Sequence, residues 1–212
     1  MERVLLLHGL WLRGFVLLPL RARLRAAGFD AHTFGYASAW SSPRAHLARL
    51  QRAIRELPGE GPVHLVGHSL GGLLAVECAR AYPELPIGRI VCLGSPITGS
   101  STAVGLIARG PLGRVLGKAI HLLRQGVLPL PEGFQIGVIA GTAKVGLGRW
   151  FGQLGESHDG TVALAETQAP ELADHVQIQT SHTGLIYSSE VVRQVAVFLR
   201  EGRFERIVRQ QE

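Results

Sequence analysis

The stretch that decides the fold is Gly67-His68-Ser69-Leu70-Gly71, a G-x-S-x-G pentapeptide between an apolar run and an apolar helical pattern. The run before it predicts a buried strand, and the pattern after it predicts a helix. A serine in this strand–turn–helix context occupies a strained turn that raises its hydroxyl above the sheet. The flanking glycines lack a Cβ atom, so the strand and the helix can approach closely. We therefore predict that Ser69 is a nucleophile and that Gly67, His68 and Gly71 form its elbow.

Six short apolar segments, each rich in β-branched residues or bounded by Gly or Pro, predict buried strands. They are Arg3–His8, Ala31–Tyr36, Pro62–Gly67, Arg89–Gly94, Gln135–Gly141 and His175–Thr180. Helical patterns over Ser41–Leu57, Leu70–Tyr82 and Leu185–Leu199 alternate with them. Such alternation forms βαβ units, whose right-handed crossovers place helices on both faces of a parallel sheet. We therefore predict a single α/β domain over residues 1–200 with about six mostly parallel strands.

The segment Thr98–Glu132 breaks this alternation, because it is longer than one crossover helix requires. Apolar residues at helical spacing after Pro111 predict an amphipathic helix. These residues are Leu112, Val115, Leu116, Ala119, Ile120 and Leu123. Two interpretations remain open: a helix packed on the sheet, or a small cap (residues 98–132) over a site. Residues 201–212 are charged and are interpreted as a C-terminal tail.

A serine hydroxyl is a weak nucleophile at neutral pH and needs a base. Among the nine histidines, His182 fits best because it follows the last predicted strand. It therefore lies at the carboxyl edge of the sheet, where Ser69 also emerges. The other candidates lie inside a strand, on helices or in the elbow itself: His64, His46, His121 and His68. We predict that His182 is the general base.

The base in turn needs an acid that holds its tautomer and stabilises the imidazolium. Asp159 lies between the fifth predicted strand and His182, which gives the chain order Ser, Asp, His expected for this motif. Its rivals are Glu156, which precedes the loop, Glu166, and Asp174, which starts a strand at the opposite edge of the sheet. We predict that Asp159 is the acid.

Acyl transfer also needs donors for the oxyanion of the tetrahedral intermediate. The backbone N–H of Leu70 directly follows the nucleophile. The loop after the first strand, at His8-Gly9, supplies a second candidate donor, the N–H of Leu10. Trp11 beside this loop is interpreted either as a wall of the substrate pocket or as an ordinary core residue.

The overall composition excludes several classes of protein. The chain has 212 residues, of which 46% are hydrophobic and 18% charged, so it is too apolar for a disordered protein. Its net charge of +6 could attract nucleic acid, but the arginines are scattered singly and no basic run alternates with aromatic residues. We therefore expect no nucleic-acid partner. We interpret the charge as a source of solubility that is also compatible with contact to anionic lipid surfaces.

The cysteines and the N-terminal region favour a cytoplasmic protein. Cys78 lies in a helical pattern and Cys92 in a strand pattern, so both are expected to be buried free thiols. The first apolar runs are interrupted at His8-Gly9 and Arg13-Gly14, carry no evident cleavage site and are too short to span a membrane. No histidine or cysteine spacing typical of a metal site is present in the sequence.

These residues resemble the α/β-hydrolase superfamily over nearly the whole chain. Leu5-Leu6-Leu7-His8-Gly9-Leu10 resembles the oxyanion strand of small bacterial lipases. His182-Thr183-Gly184-Leu185-Ile186-Tyr187-Ser188-Ser189 resembles the catalytic-histidine segment of the minimal, lidless Bacillus-type lipases. The resemblance implies a triad of Ser69, Asp159 and His182 and an oxyanion hole at Leu10 and Leu70. It also implies hydrolysis of carboxylic esters without a metal or an organic cofactor.

The sequence departs from the Bacillus-type lipases at three points. Those lipases are secreted and carry Ala where this chain has Gly67, and they lack the extra Thr98–Glu132 segment. Gly94-Ser95-Pro96 stands where larger lipases and lipid deacylases carry a Gly-Thr-Pro motif. The chain starts a few residues before its first strand, so we expect the sheet to lack the first two strands of the full fold.

We predict a serine hydrolase that acts on a small-molecule or lipid ester. An acyltransferase or a thioesterase would use the same three side chains, so both remain as alternatives. A catalytically silent binding scaffold is less favoured, because all three residues are in place.

Overall fold

The computed structural model of the protein describes residues 1–146 and 154–206, and across these residues six strands form one sheet. The strands are β1 (Arg3–Leu7), β2 (Asp30–Phe34), β3 (Val63–His68), β4 (Ile87–Leu93), β5 (Ile136–Gly141) and β6 (Asp174–Ile178). Their order is β2-β1-β3-β4-β5-β6, and every neighbouring pair is parallel. The predicted α/β fold with six parallel strands is therefore confirmed.

The strand order reverses between β1 and β3. From β1 the chain moves to β2 at one edge of the sheet, and after β3 it continues in the other direction through β4, β5 and β6. Loops that leave neighbouring strands toward opposite sides open a crevice at the carboxyl edge, where open α/β sheets bind ligands. Gly9, just after β1, and Ser69, just after β3, lie beside this crevice.

Helices cover both faces of the sheet, as the alternation of elements predicts. They are α1 (Leu18–Ala26), α2 (Pro43–Glu56), α3 (Leu70–Ala81), α4 (Ser101–Ala108), α5 (Ile120–Gln125), α6 (Gly184–Tyr187) and α7 (Ser189–Glu201). Successive strand side chains point to opposite faces. Leu5 and Leu65 therefore pack with α2 and α3, whereas Leu6 and Val66 pack with α1, α6 and α7.

The prediction of one continuous helix over Leu185–Leu199 is wrong, because the structure has two helices there, α6 and α7. Ser188, between them, has an extended backbone, and its hydroxyl accepts a 3.3 Å hydrogen bond from the N–H of Val191. A serine in this position caps the following helix, so the chain restarts α7 instead of continuing α6.

The amphipathic helix predicted after Pro111 is also corrected. The structure has a run of 3-10 turns over Gly110–Ala119, followed by α5. Gly117 interrupts the run because its φ of 56° is not helical, and a Cβ there would overlap the backbone of Ala39. Leu116, Ala119 and Leu123 are nevertheless buried, so the apolar side of the segment faces inward.

Two further findings concern membranes and the C-terminus. In the described part of the chain, no helix combines the length and the apolar character that crossing a bilayer requires. Helix α7 ends at Glu201, the first residue of the predicted tail, and residues 207–212 of that tail lie outside the described residues.

Candidate active site

Ser69 lies in the tight turn between β3 and α3. Its backbone has φ 54° and ψ −120°, a conformation that residues with a side chain rarely adopt. Such a conformation costs about 1–3 kcal/mol and persists only where surrounding contacts enforce it. Here the N–H of Ser69 donates to the carbonyl oxygen of Leu93 at the end of β4, at 2.8 Å. The predicted strained elbow is therefore present in the backbone.

The glycines of the elbow allow two close backbone approaches. A Cβ atom at Gly67 would overlap the backbone of Gly71, in the first turn of α3. A Cβ at Gly71 would lie 2.7 Å from the carbonyl oxygen of His8 and would overlap that of Leu7. Because both positions are glycine, the start of α3 reaches the end of β1, and the loop after β1 lies against the elbow.

His182 and Asp159 come together beside this elbow, after β6 and β5 respectively. His182 Nδ1 and Asp159 Oδ2 are 2.6 Å apart, and the Asp159 side chain is only 2% exposed. The backbone N–H of His182 also donates to the carbonyl oxygen of Asp159, at 2.9 Å. With Nδ1–H donating to the carboxylate, Nε2 of His182 is the nitrogen left to accept a proton.

The other oxygen of the Asp159 carboxylate is held by the backbone of its own turn. Oδ1 accepts hydrogen bonds from the N–H groups of Thr161 and Val162, at 2.9 and 2.8 Å. A buried carboxylate needs such donors to offset its lost hydration. The turn therefore both stabilises the charge of Asp159 and aims Oδ2 at His182.

Gly94, at the end of β4, leaves room for this pair. A Cβ atom there would lie 3.0 Å from Asp159 Oδ2 and 3.1 Å from His182 Nδ1, and the φ of Gly94 is 58°. The Gly94-Ser95-Pro96 motif of the sequence therefore lies directly against the Asp–His pair, and Pro96 lines the cavity described below.

His68, in the elbow next to Ser69, makes a contact that the sequence does not predict. Its side chain is buried, and its Nε2 lies 2.9 Å from the backbone carbonyl oxygen of His182. Burial lowers the pKa of His68 to about 3, so the ring stays neutral and Nε2–H is the donor. The elbow is thereby tied to the loop that carries His182.

The loop after β1 is held by an aromatic stack that the local sequence pattern does not indicate. The His8 ring lies on the Tyr36 ring with a centroid distance of 4.2 Å, and the Tyr36 hydroxyl donates to the His8 carbonyl oxygen at 2.6 Å. Burial lowers the pKa of His8 and raises that of Tyr36, so both rings remain neutral at ordinary pH. This stack fixes the strand exit that presents Gly9 and Leu10.

The two candidate oxyanion donors belong to the two segments that adjoin Ser69. Leu70 is the first residue of α3, and the first N–H groups of a helix have no partner within the helix. A Cβ atom at Gly9 would lie 3.3 Å from Ser69 Cβ, so the loop that carries Leu10 lies close to the elbow.

A cavity of about 300 Å³ opens above Ser69. Ser69, His182 and Leu10 line it together with mainly apolar side chains from the loop after β1, from the 98–132 segment and from the turn after Asp159. The apolar set is Trp11, Leu12, Ala103, Leu106, Leu116, Leu123 and Val162. Trp11 is 60% exposed, so it is not a core residue and lies at the rim of this cavity.

The rival acids lie elsewhere. The Glu166 carboxylate accepts the N–H groups of Ser101, at 2.6 Å, and Ala163, at 3.0 Å, and so links α4 to the loop after Asp159. Asp174 starts β6 at the opposite edge of the sheet and accepts the N–H of Phe204 at 2.7 Å. Glu156 is exposed.

Three of the other candidate histidines, His64, His46 and His121, are not among the residues that line the cavity. His64, inside β3, accepts the N–H of Arg89 at 2.9 Å. His46 is buried on α2 against the Tyr36 ring, and His121 is exposed on α5.

Comparison with known proteins agrees with this architecture. A family model described as the alpha/beta hydrolase family matches residues 4–196. The mature form of the lipase BlEst2 from Bacillus licheniformis superposes with a TM-score of 0.73 at 18% identity, over 95% of this chain and 91% of that chain. The metagenomic carboxyl esterase MGS0156 superposes with a TM-score of 0.71 at 16% identity, over 95% of this chain and 74% of that chain. At these identities the two structures show the fold that they share with this chain.

Proposed function

The chain belongs to the alpha/beta hydrolase family, and we propose that it cleaves carboxylic esters through an acyl-serine intermediate. The observation that carries the proposal is the buried Asp159–His182 pair, 2.6 Å apart, which opens onto the same cavity as the strained Ser69. A serine on a strained turn beside an oriented imidazole is the arrangement that activates a hydroxyl as a nucleophile. The lipase and esterase folds that superpose on the chain favour the same reaction class.

In the proposed mechanism, Ser69 Oγ attacks the ester carbonyl carbon while His182 Nε2 takes the hydroxyl proton. Asp159 stabilises the imidazolium, and the N–H groups of Leu10 and Leu70 bind the oxyanion. The tetrahedral intermediate then expels the alcohol, which receives the proton from His182. Water attacks the acyl-enzyme in the same manner, with His182 as its base, and releases the carboxylic acid and free Ser69.

The apolar cavity is the proposed site for the acyl chain, and the 98–132 segment is the proposed cap that forms one side of it. The Thr102 hydroxyl donates to the carbonyl oxygen of Thr161, at 2.7 Å, which joins α4 to the turn of Asp159. Glu166 makes a second link, through the N–H of Ser101. These bonds support a cap that is fixed to the Asp159 loop at its N-terminal end.

The decisive test replaces Ser69 by Ala. We expect the variant to lose turnover of p-nitrophenyl butyrate and covalent labelling by a fluorophosphonate probe, while its circular dichroism stays that of the wild type. The matched control is Ser157→Ala, an exposed serine in the neighbouring loop, which should retain both signals. If the Ser69→Ala variant were still labelled, a residue other than Ser69 would be the nucleophile. A wild type that neither labels nor turns over the ester would overturn the proposed function.

A further inference from the structure

A second, open cleft of about 530 Å³ lies beside the candidate active site, and the two cavities share Trp11 and Leu12. Arg13, Trp40 and Arg49 also line this cleft. Trp40 is 83% exposed and Trp11 60% exposed, which is unusual for side chains of this size. We call the surface formed by Trp11, Arg13, Trp40, Arg49, Val115 and Lys118 the rim patch.

Backbone and side-chain hydrogen bonds join the three segments that form the rim patch. Trp11 Nε1 donates to the carbonyl oxygen of Val115 at 2.7 Å, and its backbone N–H donates to Ser38 Oγ at 3.1 Å. The N–H of Lys118 donates to the carbonyl oxygen of Ala39, also at 3.1 Å. Residues 9–18, 35–49 and 98–131 therefore meet around the mouth of the cavity above Ser69.

These three segments also carry the excess positive charge of the chain. Together they hold seven arginine and lysine residues and no aspartate or glutamate, whereas the whole chain has a net charge of +6. All seven are exposed. They are Arg13, Arg44, Arg49, Arg109, Arg114, Lys118 and Arg124. Outside these segments positive and negative side chains nearly balance, and some pair directly, as Arg55 does with Glu84 and Arg206 with Asp174. The net positive charge is thus carried by the segments that form the mouth of the cavity.

The apolar part of the rim patch fits the interface of a bilayer. Tryptophan has an apolar ring and one N–H donor, and it concentrates where hydrocarbon meets headgroups. Phe15, on the first of the three segments, is 66% exposed, and Val115 on the third is 42% exposed. Exposed aromatic side chains beside cations are the combination by which monotopic proteins bind anionic membranes.

We propose that the rim patch docks the protein onto an anionic lipid bilayer, with the mouth of the cavity facing the lipid. This inference rests on the proposed ester hydrolysis, because a bilayer presents carboxylic esters to a cavity that ends at Ser69. Nucleic acid would match the positive charge but contains no such ester. Docking would deliver an acyl ester from the membrane surface to the nucleophile without passage through bulk water.

The test uses the full chain with Ser69→Ala, so that no lipid is hydrolysed, and sedimentation with vesicles. We expect binding to phosphatidylcholine vesicles that contain phosphatidylglycerol, about tenfold weaker binding to phosphatidylcholine alone, and loss of binding at high salt. Arg13→Glu with Lys118→Glu, or Trp40→Ala, should weaken binding to the anionic vesicles about tenfold or more. The control Arg203→Glu lies near the start of β6, at the far edge of the sheet, and should bind normally.

Equal binding by the rim variants and the parent protein would overturn the docking proposal, as would binding to heparin or DNA without binding to vesicles. The same substitutions are also made with Ser69 intact and assayed on a soluble p-nitrophenyl ester. If the Ser69→Ala parent does not bind the anionic vesicles while the wild type hydrolyses the soluble ester, docking alone is contradicted. If the parent binds the vesicles but the wild type turns over no ester, the proposed function alone is contradicted.

Discussion

The side chain of His68 donates a 2.9 Å hydrogen bond from Nε2 to the backbone carbonyl oxygen of His182. His68 precedes the proposed nucleophile in the chain, and His182 is the proposed base. The elbow therefore holds the base through a neutral imidazole, whose pKa burial lowers to about 3. The placement of the proposed base relative to the proposed nucleophile thus depends on His68, which also lines the cavity.

We predict that His68→Phe lowers kcat about 100-fold and changes KM little, because the loop of His182 loses its tether and small misplacements of a base are costly. His68→Gln keeps an N–H donor at a similar reach and should recover most of kcat. Steady-state kinetics on a soluble p-nitrophenyl ester provide the measurement. Equal losses in the two variants would mean that ring packing, and not the hydrogen bond, places His182.

A second prediction concerns the tautomer of His182. Asp159→Asn keeps an oxygen that can accept the N–H groups of Thr161 and Val162. The amide nitrogen then faces His182 Nδ1 as a donor, which moves the imidazole proton to Nε2 and removes the base. We expect kcat to fall by about 10⁴-fold with little loss of stability.

The control for this prediction is Asp159→Ala, which also removes the acceptor for the turn. It should lose a similar amount of activity and, in addition, unfold at lower urea concentration. An Asp159→Asn protein with nearly wild-type kcat would show that another group orients His182.

The strands of the sheet, and the chain order of Ser69, Asp159 and His182, can be predicted because each is marked by a short local sequence pattern. Apolar runs bounded by glycine or proline mark the strands, and the G-x-S-x-G turn marks the elbow. The breaks at Ser188 and Gly117 cannot be predicted in this way, although both are turn-forming residues, because the apolar periodicity continues across them.

The contacts of His68, Tyr36 and Trp11 could not be predicted in this way. His68 bonds to a residue 114 positions away, Tyr36 to one 28 positions away, and Trp11 Nε1 to one 104 positions away. An aromatic side chain that only packs in the core and one that also bonds to a distant loop occur in the same local sequence pattern. Only the fold, which brings the ends of β1, β3 and β6 together, identifies these partners.

The size of the cavity leads to a prediction about chain length. Ala103 on α4 is buried and lines the cavity of about 300 Å³. Ala103→Leu fills part of that space, so we expect kcat/KM for long-chain p-nitrophenyl esters to fall about tenfold or more while the acetate ester is little affected. Ala48→Leu, at an exposed position of α2, is the matched control. A uniform loss across all chain lengths would place the acyl chain elsewhere.

Buried histidines predict a loss of stability in acid. Burial lowers the pKa of His8, His46, His64, His68 and His175. Below about pH 6.5 the unfolded chain binds protons that the native state excludes. The free energy of unfolding therefore decreases as the pH is lowered, by up to about 1.4 kcal/mol per pH unit for each group. Above that pH both states are neutral, and these groups contribute no slope. Urea titrations should give a lower midpoint at about pH 5 than at about pH 7.5.

His46→Gln tests one of these groups. The substitution removes a titrating ring beside Tyr36, so the stability of the variant should depend less steeply on pH below about 6.5. An unchanged slope would exclude His46 as a source of the acid sensitivity.

The close approach between α3 and β1 leads to the last prediction. A Cβ at Gly71 would lie 2.7 Å from the carbonyl oxygen of His8 and would overlap that of Leu7. Gly71→Ala must therefore push the start of α3 away from β1, which we expect to cost about 1–3 kcal/mol of unfolding free energy. The same shift separates the N–H groups of Leu10 and Leu70, so kcat should fall by up to about 10²–10³-fold, as after loss of one oxyanion donor.

The matched control is Gly35→Ala, where an added Cβ meets nothing within 4 Å. Its unfolding free energy should stay within about 0.5 kcal/mol of the wild type, with unchanged kcat. If the Gly71→Ala variant were destabilised but fully active, the N–H groups of Leu10 and Leu70 would not act together on the oxyanion. If the Gly71→Ala variant kept full stability and full activity, the elbow would accommodate the added Cβ atom without separating β1 from α3. Loss of both, against an unaffected Gly35→Ala, ties the stability of this backbone contact to the proposed chemistry at Ser69.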